Sequence, residues 1–160
     1  MSDDAADRYS IDVTDRQKHL RIGSVWLERL VQRALAAEGI DQAEIGILLV
    51  DDRRIAKVHD EWLGEPGPTD VITFDLSEAG GTVLCGDLVV SAETAKRMSG
   101  EFGWTPRQEL AYYVIHGLLH LTGYDDRDPA DRRAMRSRER AVMRAVGLPA
   151  PPRTRSRRKR

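Results

Sequence analysis

The spacing of apolar residues along the chain predicts its helices and strands. Apolar positions recur near a 3.6-residue period over residues 22–38 and stop at Gly39, which predicts an amphipathic helix. Residues 45–50 form an unbroken apolar run of the kind found in buried strands. The same patterns predict strands at 11–13, 71–76 and 83–90, and helices at 92–102, 106–122 and 129–146. They also predict a short helix that is capped by Asp51 or Asp52 and whose inner face holds Ile55, Val58 and Trp62.

Glycine- and proline-rich segments separate these elements. Residues 64–68 and the pair at 80–81 are predicted loops. Residues 1–8 are predicted to be disordered, and the segment from Pro149 to residue 160 is predicted to be an extended, mobile, basic tail. What remains, residues 9–148, shows no internal repeat and is predicted to be a single domain. Strands interspersed with helices predict an α+β (mixed α/β) fold with a small mixed sheet packed with helices.

Composition narrows the class of protein. The chain has 160 residues, of which 41% are hydrophobic and 32% charged, as is typical of soluble globular proteins. Its apolar runs are too short to cross a bilayer, and its acidic start lacks the features of a signal peptide. The single cysteine, Cys85, excludes an internal disulfide and fits a reducing cytoplasm. We therefore expect a cytoplasmic protein that does not enter a membrane.

Charge is divided unevenly along the chain. The last eight residues, 153–160, contain six arginines and lysines and no acidic residue, although the formal net charge of the whole chain is −1. A basic tail on an acidic body indicates a polyanionic partner, with nucleic acid as the leading candidate. The alternative is that the tail only solubilises the end of the chain.

The helix at 106–122 carries the strongest candidate chemistry. Thr105 and Gln108 have the spacing of a capping box, with Pro106 at the first helical position. His116 and His120 lie at i and i+4 on an otherwise apolar helix, so both imidazoles share one face and can converge on one metal ion. A glycine at 123 then ends the helix and allows the acidic pair at 125–126 to fold back towards the histidines. We therefore favour a shared metal-binding role for these two histidines over the alternative that each is an unrelated residue of the core.

The histidine spacing resembles that of the zincin helix, H-E-x-x-H-x-x-G-x-x-H. Two positions differ. Gly117 stands where zinc proteases have the general-base glutamate, and Asp126 stands where the third histidine would be. A protease is therefore disfavoured.

Several motifs together resemble one known family. Residues 116–126 match H-G-x-L-H-L-x-G-Y-D-H except at the last position, residues 68–74 resemble P-T-D-V-L-S-F, and residues 86–91 resemble G-D-I-x-I-S. Glu109-Leu110 resembles the family's E-L before the histidines. On these motifs the chain, from about residue 11 to 148, resembles the YbeY family of bacterial ribosomal-RNA maturation factors, which are metal-dependent single-strand endoribonucleases.

The resemblance implies a site and a function. The family's metal triad falls on His116, His120 and Asp126, with Asp125 as the rival third ligand or as a partner that orients a histidine. One zinc ion per chain is implied, although an aspartate in the triad also suits iron or manganese. The implied function is maturation of the 3′ end of 16S ribosomal RNA, in ribosome biogenesis and quality control on the small subunit. The alternative is a non-catalytic, metal-stabilised assembly factor that binds ribosomal RNA.

The expected reaction is hydrolysis of a phosphodiester in single-stranded RNA by a metal-activated water. No catalytic group is assigned beyond this metal-bound water. Thr69 and Asp70 are expected to line the cleft, although Asp70 alternatively only caps a turn. Arg132 and Arg136 belong to an arginine stripe, repeated every four residues from 132 to 144, that either binds phosphates or is a solvated face interleaved with Asp131 and Glu139.

Three positions besides Asp126 depart from the family pattern. Leu63 replaces an arginine that resembles a substrate contact, Asp75 replaces a proline, and Tyr112 replaces a histidine. If the missing arginine holds phosphate, its substitutes are expected among Arg53, Arg54 and Arg97, and the sequence does not choose between them.

Overall fold

One mixed sheet of four strands organises residues 7–152, which are the residues that the computed structural model describes. The strand order is β1-β2-β4-β3, with β1, β2 and β4 mutually parallel and β3 antiparallel to β4 at the edge. The small mixed sheet predicted from the sequence is confirmed. The strands are β1 (Tyr9–Asp15), β2 (Ala43–Val50), β3 (Val71–Asp75) and β4 (Leu84–Ser91).

Five α-helices accompany the sheet within the described range, and they confirm the predicted α+β fold. The predicted helix at 92–102 is divided into an α-helix and a short 3₁₀ helix at Ser99–Phe102. No helix between residues 7 and 152 has the length and apolar character needed to cross a membrane. The helices are α1 (Ser24–Ala37), α2 (Asp52–Leu63), α3 (Ala92–Met98), α4 (Pro106–Leu121) and α5 (Pro129–Ala145).

The main hydrophobic core lies on the face of the sheet that α4 covers. Helices α1, α3 and α5 pack around α4, which also contacts β3 and β4. The other face carries a smaller cluster in which Ile55 of α2 packs with residues of the sheet. Eleven of the sixteen residues of α4 are buried, so this helix is central to the fold.

Gly117 sets how closely α4 approaches the sheet. A Cβ at this position would lie 2.9 Å from a methyl of Leu88, 3.1 Å from Thr73 and 3.2 Å from Val71. A side chain at this position would have to displace these three methyl groups. A glutamate like that of the zinc proteases would therefore be crowded here, and the likeness to a zincin helix is one of spacing.

The apolar pattern predicted that Trp62 lies on the inner face of α2, but in the structure it does not. Its side chain is 69% exposed, and Ile55 is the only buried residue of that helix. The indole instead packs edge-to-face on Phe74, with 5.9 Å between ring centroids. Trp62 therefore packs against Phe74 at the edge of the small cluster and leaves most of its own surface in solvent.

Both ends of the described range make hydrogen bonds to the rest of the fold. Arg8, predicted to be disordered, donates to the carbonyl oxygens of Ile40 and Asp41, each at 3.0 Å. Pro151 is buried, and Arg136 and Arg140 of α5 donate to the carbonyls of Pro152 and Pro151. These two arginines thus bind the backbone at the start of the predicted tail. Residues 1–6 and 153–160 lie outside the described residues.

Candidate metal centre

The histidines are positioned by a helix whose start is well defined. The Thr105 hydroxyl accepts from the Gln108 N–H at 3.2 Å, and the Gln108 side chain accepts from the Thr105 N–H at 3.0 Å, so the predicted capping box is confirmed. The apolar residues that follow bury the helix and prevent it from rotating about its axis. His116 and His120 then lie in its last two turns, partly exposed at the edge of the core.

A tight reversal follows the second histidine. Gly123 has φ +112°, a conformation that favours glycine, and the Tyr124 N–H donates to the Leu119 carbonyl at 3.1 Å. The chain therefore turns back along the end of α4. The reversal brings Oδ2 of Asp126 to 3.7 Å from Nε2 of His120.

Three ligand atoms converge at this point. The Nε2 atoms of His116 and His120 are 3.1 Å apart, and one ligand atom from each of His116, His120 and Asp126 lies within 4.8 Å of the other two. Two nitrogens that bind a tetrahedral zinc ion at its usual distances are about 3.3 Å apart. The donor set and its spacing therefore fit one divalent metal ion. The Asp126 side chain is 52% exposed, which leaves the site open to solvent on that side.

Asp125, the rival third ligand, is directed elsewhere. Its Oδ1 accepts from the Asp126 N–H at 2.8 Å, and its Oδ2 lies 2.7 Å from Nε of Arg127. Both carboxylate oxygens are thus engaged in the loop, although the charge still acts on His120. Asp126 is the acidic residue that presents an oxygen to the histidine pair.

Glu139 of α5 is the residue of this site that the sequence analysis missed. Its Oε2 lies 2.5 Å from Nδ1 of His116, and the residue is only 2% exposed. The sequence analysis named Glu139 only under the alternative of a solvated face, because it stands among arginines every four residues. A better signal was available, since Glu139 follows Met135 by four residues and precedes Val142 by three, and both of these are buried.

The surroundings shift the pKa values of the two histidines in opposite directions. Burial lowers the pKa of His116, but the hydrogen bond to Glu139 and the charges of Glu139, Asp70 and Asp126 outweigh it and raise the pKa. Burial and the neighbouring His116 lower the pKa of His120 in spite of the nearby aspartates. The pKa of His116 therefore lies above that of His120.

The predicted substrate residues fall at different distances from the centre. Asp70 lies close enough for its charge to act on His116, and it accepts from the Val71 N–H at 2.8 Å and from the Thr69 hydroxyl at 3.3 Å. Asp70 thus both caps the start of β3 and lies beside the site. Arg132 donates to the Arg127 carbonyl at 3.3 Å and so lies against the loop that carries Asp126.

The other predicted arginines either bind other groups of the protein or line an open groove. Arg136 donates to the Pro152 carbonyl at 2.9 Å and lies 3.7 Å from Glu139, so it braces α5. Arg97 pairs with Asp52. Arg53 and Arg54 line an open groove with a volume of about 480 Å³. Two further cations, Arg16 and Lys57, line the same groove, which also contains Asp51 and Glu61.

Comparison with known proteins places this geometry in a family. A family model described as "Endoribonuclease YbeY" matches residues 12–147, which include all three converging side chains. The chain belongs to the YbeY endoribonuclease family. A YbeY endoribonuclease of Moorella thermoacetica is 40% identical over 133 residues, covering 76% of this chain and 85% of the relative.

Two further comparisons agree with this assignment. The YbeY endoribonuclease of an Anaeromyxobacter species is 49% identical over 115 residues, and the match covers 71% of this chain but 60% of that longer relative. The solution structure of TM1509 from Thermotoga maritima superposes with a TM-score of 0.62 at 28% identity, covering 85% of this chain and 88% of that one. The family resemblance and the fold are therefore both confirmed.

Proposed function

We propose that this chain is a metal-dependent endoribonuclease that cleaves single-stranded ribosomal RNA, with one zinc ion held by His116, His120 and Asp126. The observation that carries the proposal is the convergence of these three ligand atoms within 4.8 Å in a chain of an endoribonuclease family. Two imidazoles and one carboxylate suit zinc, and they also accept manganese or iron. The resemblance to ribosomal-RNA maturation factors points to the 3′ end of 16S ribosomal RNA as the substrate.

Each residue around the centre has a part in the proposed reaction. When bound, the ion supplies a Lewis acid beside the scissile phosphate and lowers the pKa of the attacking water. His116 and His120 would bind the ion through neutral nitrogens held by a rigid helix, and Asp126 would supply the third ligand from a solvent-exposed loop. Thr69 and Asp70 line the cleft on the side of β3.

Phosphate contacts are proposed around, rather than within, the metal site. Arg132 lies against the loop of Asp126, which supports a contact with the phosphate that flanks the scissile one. Arg136 is a weaker candidate, because its guanidinium already binds the Pro152 carbonyl. Arg53 and Arg54 remain the candidate substitutes for the arginine that Leu63 replaces, because Arg97 is paired with Asp52.

The domain assignment and the setting belong to the same proposal. Residues 9–148 form the catalytic domain, and the segment 149–160 adds a basic extension that strengthens binding to RNA at low salt. Such a protein acts in the cytoplasm, where the small ribosomal subunit is its partner. Removing residues 153–160 is expected to weaken RNA binding at low salt, whereas an unchanged affinity would mean that the extension only solubilises the chain.

The test is cleavage of a single-stranded RNA that contains the 3′ end of 16S ribosomal RNA. The full chain should cut it, a chelator should stop the reaction, and added zinc should restore it. His116→Ala and His120→Ala should abolish both metal binding and cleavage, whereas His19→Ala, which removes an imidazole that lies 3.6 Å from Glu93, should retain both. Wild-type rates of cleavage in both site variants would contradict the proposal.

A non-catalytic role is the second candidate, and one observation favours it. Leu63, 53% exposed, stands where the family has an arginine, so a charge that resembles a substrate contact is missing. A chain that binds zinc and ribosomal RNA tightly but cuts no RNA in the same assay would favour this assembly factor over the nuclease.

A further inference from the structure

We propose that Glu139 is a positioning residue that holds the ring of His116 so that Nε2 faces the metal. This inference rests on the metal site of the proposed function. An imidazole binds a metal through one nitrogen, and a partner on the other nitrogen determines which tautomer and which ring orientation are available. Glu139 occupies that second position, at 2.5 Å from Nδ1 of His116.

The hydrogen bond assigns the two nitrogens of His116. A carboxylate accepts but does not donate, so Nδ1 carries the hydrogen that it donates to Glu139. The neutral ring then has its lone pair on Nε2, which lies 3.1 Å from Nε2 of His120. The ring therefore presents its lone pair on the side where the ligand atom of Asp126 also lies.

The carboxylate is itself held in place. Its other oxygen, Oε1, accepts from the Tyr112 hydroxyl at 2.8 Å and lies 3.7 Å from Nε of Arg136. Tyr112 is one turn before His116 on α4, so the same helix supplies the metal ligand and a donor that fixes the carboxylate. The Tyr112 ring packs edge-to-face against Trp104, with 5.5 Å between centroids, which limits the movement of its hydroxyl.

A purely structural role for Glu139 makes different predictions. In that case Glu139 would only join α5 to α4, and its loss would lower stability without a specific effect on the metal. The neighbouring Arg138 offers a matched control, because it joins α5 to Glu38 at 2.6 Å, just after α1, and makes no contact with either histidine. Arg138→Ala thus removes a similar side-chain contact of the same helix, away from the site.

The experiment measures zinc affinity of the full chain by competition with a chromophoric chelator, together with the visible spectrum of the cobalt(II) form and thermal unfolding of the metal-free form. Glu139→Ala should weaken zinc binding about 10- to 100-fold and alter the cobalt spectrum. Glu139→Gln keeps a neutral acceptor, so its loss should be intermediate, at about threefold or more. Arg138→Ala should lower the unfolding temperature but bind zinc as the wild type does.

The outcomes separate this inference from the proposed function. If the wild-type chain binds no zinc or cobalt, the metal site itself is refuted, and this inference with it. If the wild type binds zinc and Glu139→Ala and Glu139→Gln bind it within twofold of that affinity, the positioning role is overturned while the metal site stands. The same holds if Arg138→Ala loses as much affinity as Glu139→Ala. Should Glu139→Ala fail to fold, Glu139→Gln decides alone, by the same twofold limit.

Discussion

Replacing Gly117 by alanine tests how closely α4 is packed on the sheet beneath the metal site. The added Cβ would lie 2.9 Å from a methyl of Leu88, which is fully buried, and 3.1 and 3.2 Å from Thr73 and Val71. Inserting a methyl into such a core costs about 1–3 kcal/mol, whereas alanine in place of glycine within a helix gains about 1 kcal/mol. Because three contacts are compressed at once, we expect packing to win and the free energy of unfolding to fall by about 1–2 kcal/mol.

Urea denaturation of the metal-free Gly117→Ala variant measures this difference, and thermal unfolding should show a midpoint roughly 2–8 °C below that of the wild type. Gly100→Ala is the matched control, since a Cβ at Gly100 meets no atom within 4 Å. This control should be as stable as the wild type or slightly more stable. If Gly117→Ala were equally stable, the close approach of α4 to the sheet would be refuted as the reason for this glycine.

Two further predictions concern the elements that hold the site in place. Thr105→Ala removes half of the capping box at the start of α4 and should lower the free energy of unfolding by about 1 kcal/mol in urea titrations; no change would mean that the cap contributes nothing. Burial raises the pKa of Asp52, but hydrogen bonds from Thr94, Ser91 and Arg97 outweigh it and the pKa is lowered overall. The ionised carboxylate therefore stabilises the fold fully above its unfolded pKa of about 3.9, and the stabilisation is lost as the pH falls through the lower folded value. The stability difference between wild type and Asp52→Asn should be largest near neutral pH and shrink below about pH 4, and a difference independent of pH would contradict this origin.

The sequence predicted the elements better than their arrangement. Local patterns were sufficient for the bounds of α4, because its capping box and its terminal glycine act within a few residues. The order β1-β2-β4-β3 depends instead on pairings between strands far apart in the chain, which no local pattern encodes. Trp62 was misplaced for a related reason, since helical periodicity does not show which apolar side chains of α2 the rest of the fold covers.

The site was predicted as far as contacts on one helix reach. His116 and His120 are four residues apart on α4, so their convergence follows from helix geometry alone. Glu139 follows His116 by 23 residues, and its contact with His116 depends on how α5 packs against α4. The arginines around it on α5 made its burial hard to predict, because the charges suggested a solvated face.

The most direct test of the metal-dependent nuclease is a titration. The full chain is stripped of metal with a chelator, zinc is added in steps, and the rate of cleavage of a single-stranded ribosomal RNA fragment is measured at each step. The arrangement of His116, His120 and Asp126 predicts no cleavage without metal, a linear rise, and saturation at one zinc per chain. Cleavage by the stripped chain at the full rate, or a rise that saturates only at two or more ions per chain, would contradict a single catalytic ion at these three residues.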